Sequence, residues 1–197
     1  MSENAVDGAR RRFLTALSTL IGAVGIVFAA VPFVASMKPS ARARAIGGPV
    51  EVDISRLKPG QLMVDKWRGK PVWILRRSEE TLATLPSLDD KLVDPTSEEA
   101  QQPEYAKNEY RSITPEYLVV IGLCTHLGCS PKLVARGGAR DLGPRWPGGF
   151  FCPCHGSLFD LAGRVYKGWP APANLIVPPY RFLSTTRLLI GDDGAVA

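Results

Sequence analysis

The segments Cys124–Cys129, CTHLGC, and Cys152–Ser157, CPCHGS, contain every cysteine and histidine of this 197-residue chain. The 22 residues from Ser130 to Phe151 separate them. Cysteines that only fill a hydrophobic core would be scattered along the sequence. The crowding of four cysteines and two histidines into two short segments therefore indicates a metal or reactive site.

Three kinds of site compete for these residues. A structural zinc site usually has C-x2-4-C and H-x3-5-H pairs, whereas each segment here is mixed and two cysteines are left over. A catalytic Cys-His pair would not need the duplicated arrangement. In a Rieske centre, two histidines replace two thiolates on one iron of a [2Fe–2S] cluster. Cys124-x-His126 with Cys152-x2-His155 fits that ligand set in type, number and order.

Together, CTHLGC and CPCHGS resemble the Rieske iron–sulfur subunit of the bacterial ubiquinol:cytochrome c reductase, the cytochrome bc complex. The resemblance implies one cluster with two thiolates on one iron and two imidazoles on the other, and its ligands are Cys124, Cys152, His126 and His155. It also implies a disulfide between Cys129 and Cys154, which agrees with an oxidising compartment. Two neutral imidazoles leave the oxidised cluster with less negative charge than four thiolates would, so its potential is higher.

The resemblance assigns further roles near the ligands. His155 is expected to face the quinol and to take up its proton as the catalytic residue. Ser157 matches a serine that binds a bridging sulfide, and Leu127 matches an apolar tip that docks on the quinol-binding partner. Phe159 stands where the family has a tyrosine that donates to a ligand cysteine. Because phenylalanine has no donor, we expect a lower midpoint potential than in tyrosine-bearing relatives.

A proline loop is expected to shield the cluster. Gly168, Pro170, Ala171 and Pro172 match the Gly-Pro-Ala-Pro loop of the family, but Trp169 interrupts them.

Around these loops, the pattern of apolar and β-branched residues predicts a mainly β domain. Short alternating or β-branched runs predict antiparallel strands; they are Val50–Ile54, Gln61–Trp67, Pro71–Leu75, Tyr117–Ile121, Leu175–Val177, Tyr180–Leu183 and Arg187–Ile190. Arg68-Gly69 predicts a turn, and the polar stretch Ser78–Pro115 predicts an inserted helix and long loop. We expect an antiparallel β-sandwich with a cluster-binding subdomain at about residues 122–172.

Toward the N-terminus, the 25 residues Phe13–Met37 carry no charge. About 20 apolar residues suffice to cross a bilayer, and a signal peptide has an apolar region of only ~7–15. We therefore expect a retained single-pass transmembrane anchor at residues 13–37. Residues 38–49 read as a flexible hinge, and residues 50–197 as the Rieske domain.

The distribution of charge along the chain argues against nucleic-acid binding. Residues 1–44 hold six basic and two acidic residues, a balance of +4, and the remaining 153 residues hold 18 basic and 17 acidic. The excess therefore lies around the anchor, and no nucleic-acid footprint is left in the domain. ARRRFLT, Ala9–Thr15, resembles a twin-arginine export signal with Arg10 and Arg11 as the pair. We expect residues 1–12 in the cytoplasm and the domain in the periplasm, at the bacterial inner membrane.

The resemblance implies a function in quinol–cytochrome c reductase. The chain would accept one electron from ubiquinol and pass it to a membrane-bound c-type cytochrome, contributing to proton translocation. Its partners would be cytochrome b and that cytochrome, within a dimeric complex. Two alternatives are the Rieske small subunit of another periplasmic oxidoreductase, such as arsenite oxidase, and a zinc-stapled anchored binding module.

Overall fold

The computed structural model describes residues 7–40, 47–137 and 146–194. Residues 41–46 of the predicted hinge and residues 1–6 of the predicted cytoplasmic segment lie outside these ranges. By internal contacts the chain divides into two compact units, residues 1–45 and residues 46–197.

The N-terminal unit is one long helix, α1, which spans Gly8–Ser36. It begins five residues before the predicted anchor, because Asp7 caps it by accepting hydrogen bonds from the backbone N–H groups of Ala9 and Arg10. Pro32 lies inside the helix and does not end it. The helix is long enough to cross a membrane, and the mean hydropathy of its apolar window is 2.2. A helix that is long and apolar enough to span a membrane is therefore present at the predicted place.

The second unit is built from short antiparallel strands. Nine strands lie in the described part of this unit: β1 Val50–Asp53, β2 Leu62–Trp67, β3 Lys70–Arg76, β4 Tyr117–Ile121, β5 Lys132–Val134, β6 Gly149–Phe151, β7 Leu158–Phe159, β8 Tyr180–Ser184 and β9 Arg187–Ile190. They form three sheets of three strands, with the orders β1-β9-β8, β2-β3-β4 and β5-β6-β7. We call these the terminal, central and small sheets. The predicted strand-rich, antiparallel fold is confirmed.

Strand propensity explains which strands the sequence predicted. The central strands β3 and β4 are β-branched and buried, and they pair from Val72 opposite Ile121 to Arg76 opposite Tyr117. The predicted Arg68-Gly69 turn is present, with both residues at positive φ. The three strands of the small sheet were not predicted, because runs of three, three and two residues are too short to show a period.

One predicted strand is wrong. Leu175–Val177 forms no ladder, although its backbone is hydrogen-bonded. The N–H of Leu175 donates to Gly163, and the N–H of Val177 donates to Gln101. The carbonyl of Ile176 accepts from Ile121. Since each group binds a different segment, the apolar run ties two loops and the end of β4 together rather than pairing along one strand.

The predicted insertion between β3 and β4 contains a short helix, α2, over Glu79–Thr84. Ser78 caps it by accepting a hydrogen bond from the N–H of Thr81. Two 3₁₀ turns follow, at Leu85–Lys91 and Glu104–Ala106. The rest of the insertion has no further helix or strand and is held to the domain by hydrogen bonds of buried side chains, among them Arg77, Arg111 and Arg164.

Candidate metal centre

The two cysteine-histidine segments form loops with the same backbone hydrogen bonds. In the first loop, the N–H of Cys124 donates to the carbonyl of Cys129, and the N–H of Gly128 donates back to Cys124. In the second loop, Cys152 donates to Ser157, and Gly156 donates back to Cys152. The glycines have φ of +80° and +82°, in the left-handed region that favours glycine. Each segment is thus a tight loop whose first residue is a cysteine.

Strands of two sheets hold these loops. The first loop follows β4 of the central sheet, and the second lies between β6 and β7 of the small sheet. Since both sheets contribute to one hydrophobic core, the two loops are presented side by side.

The four candidate ligands converge between the loops. Cys124 and Cys152 are free thiols that are 3% and 2% exposed. The rings of His126 and His155 meet edge to face, with their centroids 4.8 Å apart. His126 is partly buried, whereas His155 is exposed. Two thiols and two imidazoles that lie 28 and 29 residues apart in sequence thus come together in the fold.

An orphaned nitrogen marks this site as a place for a metal group. Nδ1 of His126 is buried and has no hydrogen-bond partner within the described residues. A buried imidazole nitrogen without a partner is costly unless something else binds it. The lone pair of Nδ1 is therefore available to a metal ion, and the residues present fit a cluster held by two thiolates and two imidazoles.

The remaining two cysteines are joined to each other. Cys129 and Cys154 form the disulfide that the resemblance implied, with their Cα atoms 6.6 Å apart. Their sulfurs and that of Cys152 lie within 4.8 Å of one another. Because sulfurs in a disulfide are not thiolates, only the two free thiols can serve as ligands. The disulfide links the first loop to the second beside the candidate ligands.

Burial affects the thiol of Cys124, one of the candidate ligands. Desolvation raises the pKa of the Cys124 thiol above its ordinary value, while a backbone hydrogen bond from His126 acts in the opposite direction. In the metal-free chain this thiol therefore resists ionisation. Coordination to a cation removes the proton, because the positive charge stabilises the thiolate.

The proline loop closes over both cysteine-histidine loops. The N–H of Ala171 donates to Oγ of Ser157 at 3.0 Å. Oγ1 of Thr125 donates to the carbonyl of Ala173 at 2.6 Å. Ser157 is fully buried, and a hydrogen bond from its side chain acts to lower the pKa of the Cys124 thiol. Thr125 was not singled out by the sequence, although its position between two candidate ligands was a usable signal.

The indole ring of Trp169 lies against the second loop. A Cβ at Gly156 would be 3.3 Å from Cζ3 of this ring. The inserted tryptophan therefore packs on the residue that follows His155, and it stays 43% exposed. Gly168 and Pro170, on either side of it, are also exposed.

Leu127, the predicted apolar tip, and Phe159, which replaces the tyrosine of the family, differ in their exposure to solvent. Leu127 is 71% exposed, at the end of the first loop. Phe159 is fully buried on β7, opposite Phe150 of β6. The exposed tip thus combines Leu127 with His155.

Comparison with known proteins agrees with this geometry. Residues 1–40 match the family model described as "Ubiquitinol-cytochrome C reductase Fe-S subunit TAT signal". Residues 96–181 match the "Rieske [2Fe-2S] domain". These matches confirm the predicted Rieske domain with its [2Fe–2S] cofactor, and the predicted twin-arginine signal.

Two relatives cover nearly the whole chain. The ubiquinol-cytochrome c reductase iron-sulfur subunit of Allochromatium vinosum is 62% identical over 193 residues, 98% of this chain and 93% of the relative. The protein of the same name from Bradyrhizobium diazoefficiens is 43% identical over 183 residues, 92% of this chain and 94% of the relative. Among solved structures, a chain of "Hyperthermophilic respiratory Complex III" is 27% identical, with a TM-score of 0.48 over 88% of this chain and 98% of that one. By its identity to the two bacterial relatives, the chain belongs to the family of ubiquinol-cytochrome c reductase iron–sulfur subunits.

Proposed function

We propose that this chain is the electron-transfer subunit of a ubiquinol–cytochrome c reductase. It accepts one electron from ubiquinol and passes it to a membrane-bound c-type cytochrome, contributing to proton translocation by the complex. One observation carries the proposal: two buried free thiols and two touching imidazoles converge at an exposed tip, and one buried imidazole nitrogen has no partner among the described residues.

The four converging side chains are the proposed ligands. The thiolates of Cys124 and Cys152 would hold one iron, and the imidazoles of His126 and His155 would hold the other. When bound, a Rieske cluster supplies one-electron redox chemistry at a higher potential than a four-cysteine cluster, because two neutral imidazoles replace two thiolates.

The two histidines differ in what they can do with a proton. His126 is partly buried, with its Nδ1 turned inward, so it serves to hold the group. His155 is exposed, and its Nε2 can meet a quinol hydroxyl and take up a proton at the docking face. Metal coordination makes the free N–H of an imidazole more acidic, so loss or gain of an electron at the site changes the proton affinity of Nε2. We therefore assign His155 as the catalytic residue.

The surrounding residues exclude water and orient the ligands. Ser157 and the buried Ala171 seal the inner side of the second loop. Leu127 presents an apolar surface next to the proposed quinol contact, which suits docking on a hydrophobic partner site. Such a partner would be cytochrome b, in a dimeric complex.

The N-terminal unit supports the proposed placement in the cell. With the twin-arginine signal and α1, the N-terminus would remain in the cytoplasm and the Rieske domain would lie in the periplasm. The predicted hinge at residues 38–49 would let the domain move between cytochrome b, where quinol is oxidised, and the c-type cytochrome that accepts the electron.

Substitution of the proposed catalytic residue tests this function. His155→Ala should abolish both the electron paramagnetic resonance signal of the reduced Rieske cluster and quinol oxidation, because it removes a ligand and the proton acceptor together. Leu127→Ala is the matched comparison in the other loop. It should keep the signal and lower turnover only, since Leu127 is exposed, has no ligating atom and is proposed to serve docking.

Two further measurements complete the test. Non-haem iron and acid-labile sulfide should be found in equal amounts in the purified complex, together with b-type and c-type haem. A His155→Ala chain that retained both the signal and quinol oxidation would contradict the assignment. Zinc in place of iron, or copurification with a molybdenum subunit, would contradict the function.

A further inference from the structure

Trp73 lies between the stems of the two ligand loops. It is in the middle of β3, where it pairs with Val64 of β2 and Val120 of β4, and it is 4% exposed. It belongs to neither cysteine-histidine segment and precedes the first of them by about fifty positions in sequence. Its indole ring nevertheless reaches the backbone that leads into both segments.

The first contact is with Gly122, two residues before Cys124. A Cβ at Gly122 would lie 2.3 Å from Cε2 and 2.4 Å from Nε1 of Trp73. No side chain fits at that distance, so the ring packs directly on the backbone of the first stem. The N–H of Gly122 donates to the carbonyl of Pro71, which continues the ladder and holds the stem in place.

The second contact is with Phe150, two residues before Cys152. The centroids of the Trp73 and Phe150 rings are 5.0 Å apart, and their planes are inclined by 31°. Phe150 is fully buried on β6, where it pairs with Leu133 and Phe159. This distance is in the favourable range for packed aromatic rings, so the contact stabilises the second stem against the same indole.

We propose that Trp73 is a positioning residue for the cluster, because it fixes the separation of the two ligand loops through Gly122 and Phe150. The disulfide Cys129–Cys154 joins the loops at their ends, and Trp73 joins them at their stems. Two separated links are needed to prevent rotation of one loop against the other, and metal ligands must be held closely for a defined potential. The inference rests on the proposed ligand set.

The test compares two buried tryptophans in the full-length chain within its complex. Trp73→Leu removes the ring from both stems, and we expect shifted g-values, a broader resonance line and a changed midpoint potential. Trp67→Leu removes an equally large ring from β2, where the indole packs near Gly48 and Gly191. It should lower stability while leaving the spectrum and the potential of the folded protein unchanged.

A compensating pair tests the contact with the first stem. Gly122→Ala should shift the spectrum and lower the iron content per chain, since the new methyl group displaces the indole. Combined with Trp73→Leu, which lacks Cε2 and Nε1, the same alanine should cause no further shift beyond that of Trp73→Leu alone. Additive shifts in the double variant would overturn the contact as the cause.

The outcomes separate this inference from the proposed function. If the unaltered chain gives no Rieske resonance, the ligand set itself is wrong. If the unaltered chain gives the resonance and Trp73→Leu does not change it, only the positioning role is overturned. A shift of the resonance in Trp67→Leu as large as that in Trp73→Leu would also overturn the positioning role. If Trp73→Leu fails to fold, Phe150→Leu tests the contact between Trp73 and the second stem instead. This substitution should shift the resonance by itself.

Discussion

At Phe159, the presence or absence of one side-chain hydroxyl group is expected to affect the midpoint potential of the cluster. Its side chain is fully buried on β7, two residues after the buried Ser157. A tyrosine at this position would add a hydroxyl group that, by family resemblance, donates to a ligand cysteine sulfur. Such a hydrogen bond stabilises the extra negative charge of the reduced state.

We therefore predict that Phe159→Tyr raises the midpoint potential, measured by redox titration of the resonance signal. Phe182→Tyr is a suitable control, because Phe182 is on β8 of the terminal sheet, away from the loops, and is half-buried. It should leave the potential unchanged. An unchanged or lowered potential in Phe159→Tyr would contradict the prediction.

The glycines of the two loops also act at the scale of the residue. Gly128 and Gly156 adopt the same left-handed conformation and close equivalent hydrogen bonds. Their surroundings differ, since among the described residues a Cβ at Gly128 would meet no atom within 4 Å, whereas a Cβ at Gly156 would lie 3.3 Å from Trp169. A side chain at Gly156 would therefore meet both backbone strain and the indole ring.

At the scale of elements, one buried arginine holds the insertion to the segment after the second loop. Nε of Arg164 donates to Asp160 at 2.7 Å, and both side chains are fully buried. Nη2 donates to the carbonyl of Leu85 at 2.8 Å, and Nη1 donates to Asp89 at 2.9 Å. Arg164 thus binds the 3₁₀ turn Leu85–Lys91 through backbone and side chain together.

We predict that Arg164→Met destabilises the domain strongly, because it leaves the carboxylate of Asp160 buried without its cation. Loss of one partner from a buried pair costs about 3–5 kcal/mol. Asp89→Asn should cost no more than ~1 kcal/mol, since Asp89 is 43% exposed and solvent screens its charge. Unfolding temperatures of the purified variants check the order. Equal losses from the two substitutions would contradict it.

The strands show the same dependence on distant contacts. The sequence predicted β3 and β4 because their apolar residues make a strong local pattern. It also predicted a strand at Leu175–Val177, where the pattern is similar but the hydrogen bonds go to three separate segments. Whether such an apolar run pairs as a strand or bonds to separate segments depends on how the other parts of the chain are arranged around it.

At the scale of the whole molecule, the chain combines an apolar helix with a folded domain that holds a metal centre. The twin-arginine pathway carries folded proteins, which suits a cofactor that is inserted in the cytoplasm. The arginine pair lies in the first turns of α1, directly after the cap at Asp7.

We predict that replacing Arg10 and Arg11 together by lysine strands the protein in the cytoplasm, although the net charge does not change. Arg12→Lys is the matched control, because Arg12 lies outside the pair and precedes Phe13; this variant should be exported normally. Protease accessibility of the domain in spheroplasts measures the outcome. Normal export of the double variant would refute the export signal.

The sequence alone determined the properties that depend on residue type and local spacing. These are the two candidate thiol-imidazole ligand pairs, the apolar helix with its arginine pair, and the strands with a clear period. Each can be recognised in the sequence because its residues lie within a short stretch of the chain. For the candidate ligand pairs, the chain also has no other histidine and no cysteine outside the two segments.

Tertiary structure decided what depends on distance in space. It places the indole of Trp73 on both loop stems, gives Asp160 its partner in Arg164, and leaves Nδ1 of His126 without one in the described part of the chain. These contacts join segments that are not neighbours in the sequence. Their formation depends on how the sheets pack, and packing is a property of the whole core rather than of any local pattern.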